Sequence, residues 1–242
     1  MGISLDAGLR TIQKDEDMFV EILKKAIDPG QKHMSYYYSA LNIIEAKLKV
    51  LKEKFSFKHE RNPIDTIKTR IKDFESIRRK LCRLGFFTSV DPASIEKIID
   101  ENIHDVAGIR VICPFIDDVY LLEDSLLRQD DIAFLERKDY IAKPKESGYR
   151  SLHLIIETPV CLQNEKKYIK VEIQLRTVAM DFWASLEHRL LYKKDIGIET
   201  VKTISAELRE CAETNALLDM KMQSIRDYID NRPFEIKRKE TA

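Results

Sequence analysis

Apolar positions recur along this chain in two rhythms, and the rhythm changes where the candidate chemistry begins. Over 34–57 they fall three or four residues apart; Leu41, Ile44, Leu48, Leu51 and Phe55 make one stripe, which predicts an amphipathic helix. A shorter helix is predicted over 14–27, ended by Asp28-Pro29-Gly30. Over 64–72 the period drops to two. Ile67, Thr69 and Ile71 alternate with Lys68, Arg70 and Lys72, giving a strand with one basic face. Helices are predicted at 73–84 and, with Pro92 at its first position, at 92–102. The unbroken apolar run Val106 to Cys113 reads as a buried strand. A helix at 117–129, strands at 131–138, 151–158 and 167–176, and a helix at 177–194 follow. Crossovers mixed with hairpin-like neighbours predict an α/β (α+β) fold, a mixed β-sheet flanked by helices.

The final helix, predicted over 199–230, has its own pattern. Val201, Ile204, Leu208, Cys211, Asn215, Leu218, Met222, Ile225 and Ile229 alternate spacings of three and four, a heptad seam with one polar member, Asn215. A helix packed on its own domain and a helix that joins subunits both fit this pattern; its regularity favours the second and predicts a homo-oligomer. The expected organisation is N-terminal helices over 1–60, the sheet-bearing unit over 61–195, and the C-terminal helix with a frayed tail over 196–242.

Composition narrows the partners. The chain has 242 residues, with 41 Lys+Arg against 41 Asp+Glu, so its net charge is zero. That argues against a general nucleic-acid binder, although RNA binding is not excluded. The charge is locally concentrated: residues 61–83 hold eight basic groups against three acidic ones, which suits a small polyanion. Four scattered cysteines without metal spacing fit a reduced, cytoplasmic protein. No apolar run reaches membrane-spanning length.

Three constellations carry the candidate chemistry. Arg70 and Lys72 on one strand face, with Ser76, Lys80 and Arg83 on one side of the next helix, are placed to converge on a triphosphate; a solvated basic face is the competing reading. Asp105, just before a strand, and Glu172, inside one beside Gln174 and Arg176, supply two hard carboxylates suited to Mg²⁺. Either can also serve as a structural polar group or as a base toward a sugar hydroxyl. The third is the segment 138–153, which sets Lys138, Lys143, Lys145 and Arg150 around Gly148-Tyr149 and ends at His153, with Ser151 on the same strand face. Cations hold phosphate, and an aromatic ring stacks on a base. His104-Asp105 lacks further ligands at metal-hydrolase spacing, and the phosphate-loop motif Gly-x-x-x-x-Gly-Lys-Ser/Thr is absent.

Together these motifs resemble the synthetase domain of the RelA/SpoT family, and closely its stand-alone small alarmone synthetases. The resemblance spans about 34–194 and rests on four motifs in order. They are Arg70-x-Lys72-x-x-x-Ser76-x-x-x-Lys80; His104-Asp-Val-Ala-Gly-Ile-Arg110; Lys138-Asp-Tyr through Lys145, Tyr149 and His153; and Val171-Glu172-Ile-Gln174-Leu-Arg176-Thr followed by Met180-Asp-Phe-Trp183. The resemblance implies a nucleotidyltransferase-like fold and transfer of the β,γ-pyrophosphate of ATP to the ribose 3′-oxygen of GTP or GDP. By position, Arg70, Lys72, Ser76, Lys80 and Arg83 would hold ATP. Asp105 and Glu172 would hold Mg²⁺, and Glu172 would also activate the 3′-hydroxyl. Arg110, Lys138, Lys145, Tyr149, His153 and Gln174 would hold the acceptor guanine nucleotide. It also implies a homo-oligomer, with a tetramer favoured. Long members carry hydrolase and regulatory domains for which this chain has no room, so synthesis alone is expected. A catalytically silent nucleotide- or RNA-binding regulator, and a pyrophosphokinase with a tRNA end or adenine nucleotide as acceptor, are the alternatives.

Overall fold

A computed structural model describes residues 16–57, 61–86, 91–191 and 198–230. The expected tail beyond Pro233 and the ends of two expected helices (14–15 and 192–194) lie outside these residues. Helices are α1 (16–26), α2 (Lys32–Phe57), α3 (Phe74–Arg83), α4 (Ile95–Asn102), α5 (Ile116–Leu127), α6 (Val178–Leu191) and α7 (Ile198–Asp230). Strands are β1 (Thr66–Ile71), β2 (Ala107–Cys113), β3 (Ala133–Asp139), β4 (Leu152–Leu162) and β5 (Glu165–Thr177). The segment expected as one helix over 92–102 opens with a 3₁₀ turn, Pro92–Ser94, whose Asp91 side chain accepts from the Ala93 amide.

The strands form one mixed sheet in the order β1-β2-β5-β4-β3. Only β2 and β5 run parallel; the other pairs are antiparallel. Strand alternation divides the residues between two faces. Ile109 and Val111 of β2, Val171, Ile173 and Leu175 of β5, and Leu152, Leu154 and Ile156 of β4 are all buried in one core. That core includes Tyr36, Tyr37, Leu41, Ile44 and Leu48 from α2 and Val119, Leu122 and Leu126 from α5. Each such side chain contributes roughly 1.5–3 kcal/mol when fully buried. The opposite face carries Gly108, Arg110, Glu172 and Gln174, which line a shared hollow.

Two differences from the sequence reading have clear causes. β4 runs four residues past the expected end at 158, through Pro159, to a tight turn in which Gln163 takes a φ of 54°. Proline stops a strand only where its missing N–H is needed. β3 pairs with β4 only as far as Glu157, so at Pro159 that edge is unoccupied. The second concerns α7. Its buried residues are Ala212, Asp219 and Arg226, with Leu208 and Asn215 half-buried. Asn215 donates to the Ala179 carbonyl at 2.7 Å and is therefore a tie to its own domain, not a free seam residue. Leu218, Met222, Ile225 and Ile229 are about half exposed or more. A heptad stripe drifts by about 20° per repeat on a straight helix, so the seam starts on the domain and turns off it.

Asp118 marks the energetic cost of this packing. It is 1% exposed, accepts from Arg61 at 2.6 Å and from the Phe115 amide at 3.2 Å, and burial still lifts its carboxyl to about 6. A carboxyl raised on folding favours the native state when protonated, so its contribution falls as pH rises from about 4 toward that value. Asp118→Asn should therefore flatten the pH dependence of the melting temperature between those limits. An unchanged slope in thermal melts would contradict this.

Candidate functional site

The register of the sheet lines up the candidate residues. Lys68 of β1 lies opposite Arg110 of β2, Arg110 beside Gln174 of β5, Gln174 opposite His153 of β4, and His153 opposite Lys138 of β3. One row of polar side chains thus crosses all five strands. The next row begins Arg70, Gly108, Glu172. The missing side chain at Gly108 leaves room there, because a Cβ would meet the Arg70 side chain at 3.6 Å. Above these rows lies a hollow of about 220 Å³, lined by Lys68, Arg70, Gly108, Arg110, Glu172 and Gln174. A second of about 440 Å³ continues from it past Tyr149 and Arg176 to His188.

Asp105 stands at one end. Lys72 Nζ lies 2.5 Å from one of its oxygens and Lys80 Nζ 2.8 Å from the other. Burial alone would raise its carboxyl, but the two ammoniums outweigh burial and hold it below the usual range. The structure therefore joins Lys72 and Lys80, expected with ATP, and Asp105, expected with Mg²⁺, into one cluster. Ser76 is occupied elsewhere: its amide and hydroxyl both bond to Asp73, the cap of α3, at 2.9 and 2.7 Å. Arg83 is exposed at the end of α3, with Nε on the Arg79 carbonyl.

Glu172 is held from both sides. His153 Nδ1 faces one oxygen at 3.3 Å, and Gln174 Nε2 donates to the other at 2.7 Å. Burial and the charge of Asp105 push its carboxyl up; the contacts from His153 and Gln174 prevail and leave it lowered. The two carboxylates thus sense each other across the site. Among the described residues no three His, Cys, Asp or Glu side chains gather into a metal cage. Two hard carboxylates suit a cation that brings water and phosphate oxygens as its remaining ligands.

Sequence reasoning gave no role to Arg176 or Asp181, and the structure places both at the site. Asp181, in the first turn of α6, accepts from Arg176 at 3.1 Å and from Arg110 at 3.2 Å. Burial and the neighbouring charge of Arg176 draw the Arg110 guanidinium down. Arg176 Nη2 donates to the Tyr149 hydroxyl at 2.6 Å and to Gln174 Oε1 at 3.2 Å. The signal was present in Arg176, which shares a strand face with Glu172 and Gln174; its partner Asp181 lies across a strand-to-helix junction that no period reveals.

The loop before β4 is shaped by one contact. Gly148 has a φ of 88°, and a Cβ there would come within 2.5 Å of the Ala212 Cβ on α7. Tyr149 follows, its hydroxyl 2.8 Å from His153 Nε2 and its ring 5.0 Å from Lys145 Nζ. Lys145 also lies 4.5 Å from the Tyr140 ring. Lys138 is exposed at the outer edge and paired with Glu136 at 3.0 Å. Ser151, expected to face the site, is instead fully buried and donates to the Leu175 carbonyl at 3.2 Å. Arg150 turns to the Ile141 carbonyl at 3.3 Å, away from the other cations.

A mixed sheet whose polar face gathers cations around two carboxylates defines a nucleotidyltransferase-like protein. The pattern described as the region found in RelA / SpoT proteins matches residues 69–197, more than half of the chain, and the chain belongs to that family. GTP pyrophosphokinase YwaC of Bacillus subtilis is 42% identical over 208 residues, covering 86% of this chain and 95% of the relative. The small alarmone synthetase 1 of Bacillus subtilis bound to its product pppGpp superposes with a TM-score of 0.71 at 32% identity, over 80% of this chain and 94% of the other. The same synthetase bound to AMPCPP gives a TM-score of 0.65 at 29% identity, over 81% and 95%.

Gly148→Ala tests the seat of the loop. The added methyl collides with Ala212 and forces a left-handed backbone on alanine, at a cost of about 1–3 kcal/mol. The variant should melt at a lower temperature and bind a guanine nucleotide more weakly in calorimetry; wild-type values in both would show that the loop is seated otherwise.

Proposed function

We propose that this chain is a GTP pyrophosphokinase that makes (p)ppGpp and AMP, working in the cytoplasm. The observation that carries the reading is the pairing of Asp105 with two lysines beside a separately held, ionised Glu172 on the open face of the sheet. ATP would take the β1–α3 side: Lys72 and Lys80 exchange Asp105 for the triphosphate, and Arg70 and Arg83 add charge from the strand and the helix end. Ser76 stands nearby as a further phosphate donor once released from its cap. The acceptor would take the β4–β5 side. Tyr149 stacks on guanine, with Gln174 and His153 at its edge, while Arg110, Lys138 and Lys145 face its phosphates.

Asp105 and Glu172 are the residues that would hold Mg²⁺, which when bound neutralises phosphate charge. The lysines and arginines lower the repulsion between two polyanions and align them, which is most of what this chemistry requires. The acceptor 3′-oxygen forms a bond to the β-phosphorus of ATP as the bond from that phosphorus to the α–β bridging oxygen breaks. AMP leaves, and the 3′-hydroxyl proton passes to Glu172. The contacts from His153 and Gln174 hold its carboxyl down against burial, so Glu172 is ionised and ready to accept it.

ATP with GTP, GDP or GMP, in the presence of Mg²⁺, should yield a 3′-pyrophosphorylated guanine product and AMP, and ATP with an adenine nucleotide as acceptor should yield neither. Glu172→Gln and Asp105→Asn should each lower kcat by at least about a hundredfold with the fold intact by circular dichroism. Full activity in both would sink the carboxylate assignments; guanine or RNA binding without turnover would favour a silent regulator.

We infer further that the protein self-associates through the exposed stripe Leu218, Met222, Ile225 and Ile229 of α7. Light scattering should give an oligomer for the wild type and a monomer for Met222→Asp with Ile225→Asp. A monomeric wild type at micromolar concentration would remove this assignment.

A further inference from the structure

We propose that Arg176, anchored by Asp181, is a positioning residue that fixes the direction of every hydrogen bond entering Glu172 and thereby holds His153 as its Nδ1–H tautomer. The argument starts from what an arginine lacks. Its guanidinium has donors and no acceptor. Arg176 is 4% exposed; Asp181 accepts from its Nη1, its Nε has no hydrogen-bond partner among the described residues, and Nη2 can only donate, to Tyr149 and Gln174.

Two chains of consequence run from Nη2. Along the first, the Tyr149 oxygen accepts from Arg176, so its single proton turns to the other neighbour, His153 Nε2, at 2.8 Å. In the reverse arrangement, with a proton on Nε2, the hydroxyl proton has no acceptor among its described contacts and points at a cation. Nε2 therefore accepts, and the imidazole proton sits on Nδ1, facing Glu172 Oε1 at 3.3 Å. Along the second chain, Gln174 Oε1 accepts from Arg176, so its amide nitrogen is the end that faces Glu172 Oε2, at 2.7 Å. One buried cation thus sets a tautomer and an amide orientation together, and both oxygens of Glu172 receive a donor.

The carboxylate is left with its rotation fixed and its remaining lone pairs for the cleft. That catalytic consequence rests on Glu172 being the base of the proposed reaction; the direction of the hydrogen bonds does not. Asp181 holds Arg176 in place at the junction of β5 and α6, and it orients Arg110 from the same carboxylate oxygen.

The test is two-bond ¹H–¹⁵N spectroscopy of the full chain labelled at histidine, with His153→Gln to assign the signal. In the wild type His153 should carry its proton on Nδ1 with Nε2 bare. In Tyr149→Phe, which keeps the ring, and in Arg176→Lys, which keeps the charge but cannot serve three partners, the signal should shift toward the Nε2–H form. Tyr149→Phe should lower kcat about tenfold while acceptor KM stays within about threefold. A protonated Nε2 in the wild type overturns the proposal, and so does wild-type kcat in Tyr149→Phe; neither outcome depends on whether Arg176→Lys folds. Undiminished turnover in Glu172→Gln would remove the base assignment and the catalytic half of this inference, while the tautomer is measured independently of it.

Discussion

The parallel pairing of β2 with β5 is the constraint on which the site depends. It sets Gly108 beside Glu172 and Arg110 beside Gln174, and every other functional contact is built outward from those two pairs. A slip of one residue in either strand would send Arg110, Glu172 and Gln174 into the apolar core, because side chains alternate between faces. The core residues Ile109, Val111, Ile173 and Leu175 are interleaved with the site residues, so the hydrophobic effect that forms the core also fixes the register of the chemistry. The absence of a side chain at Gly108 keeps the middle of this face open next to the carboxylate.

Two carboxylates of the site each hold two cations. Asp105 is matched by Lys72 and Lys80, and Asp181 by Arg110 and Arg176. Buried charges need such partners, since leaving one unpaired costs several kcal/mol. Nucleotide phosphates offer the cations an alternative partner of higher charge, and a divalent cation offers the carboxylates one. On the proposed reading, binding would be an exchange of partners in a preassembled set of charges, which limits the desolvation cost of bringing two polyanions together. The zero net charge of the chain fits this economy: the cations are placed locally and their fields are cancelled elsewhere.

The parts of the fold set by local patterning were readable from the sequence. The alternation at Lys68, Arg70 and Lys72, the apolar run into Cys113, and the stripe of α2 each state their own period, and the elements lie where those periods place them. The strand expected to end at 158 continues through Pro159 because a proline's effect depends on whether a neighbouring strand needs the N–H, a fact of topology. Ser76 and Ser151 were expected to face the site, but a hydroxyl is claimed by whichever partner is nearest. A helix cap took one and a strand carbonyl took the other. Asp181 was invisible as a site residue because its value comes from meeting Arg110 on a strand 71 positions earlier in the chain.

The C-terminal helix ties assembly to chemistry through geometry alone. One face of α7 packs on the loop before β4, on β5 and on α6: Ala212 meets Gly148, Asp219 accepts from Thr177 at 2.6 Å, and the Leu208 carbonyl accepts from Trp183 at 2.9 Å. Further along, Gln223 and Arg226 bind the start of α5 through Asp117. The faces used for these contacts are small or polar, and the apolar stripe is turned away by the drift of a heptad pattern on a straight helix. A partner bound to that stripe would therefore press on the same rigid rod that sets Gly148 and Tyr149. Helices transmit such displacements as a unit because their interiors do not compress. The Gly148–Ala212 contact thus seats the loop before β4 on the same helix whose other face carries the exposed stripe.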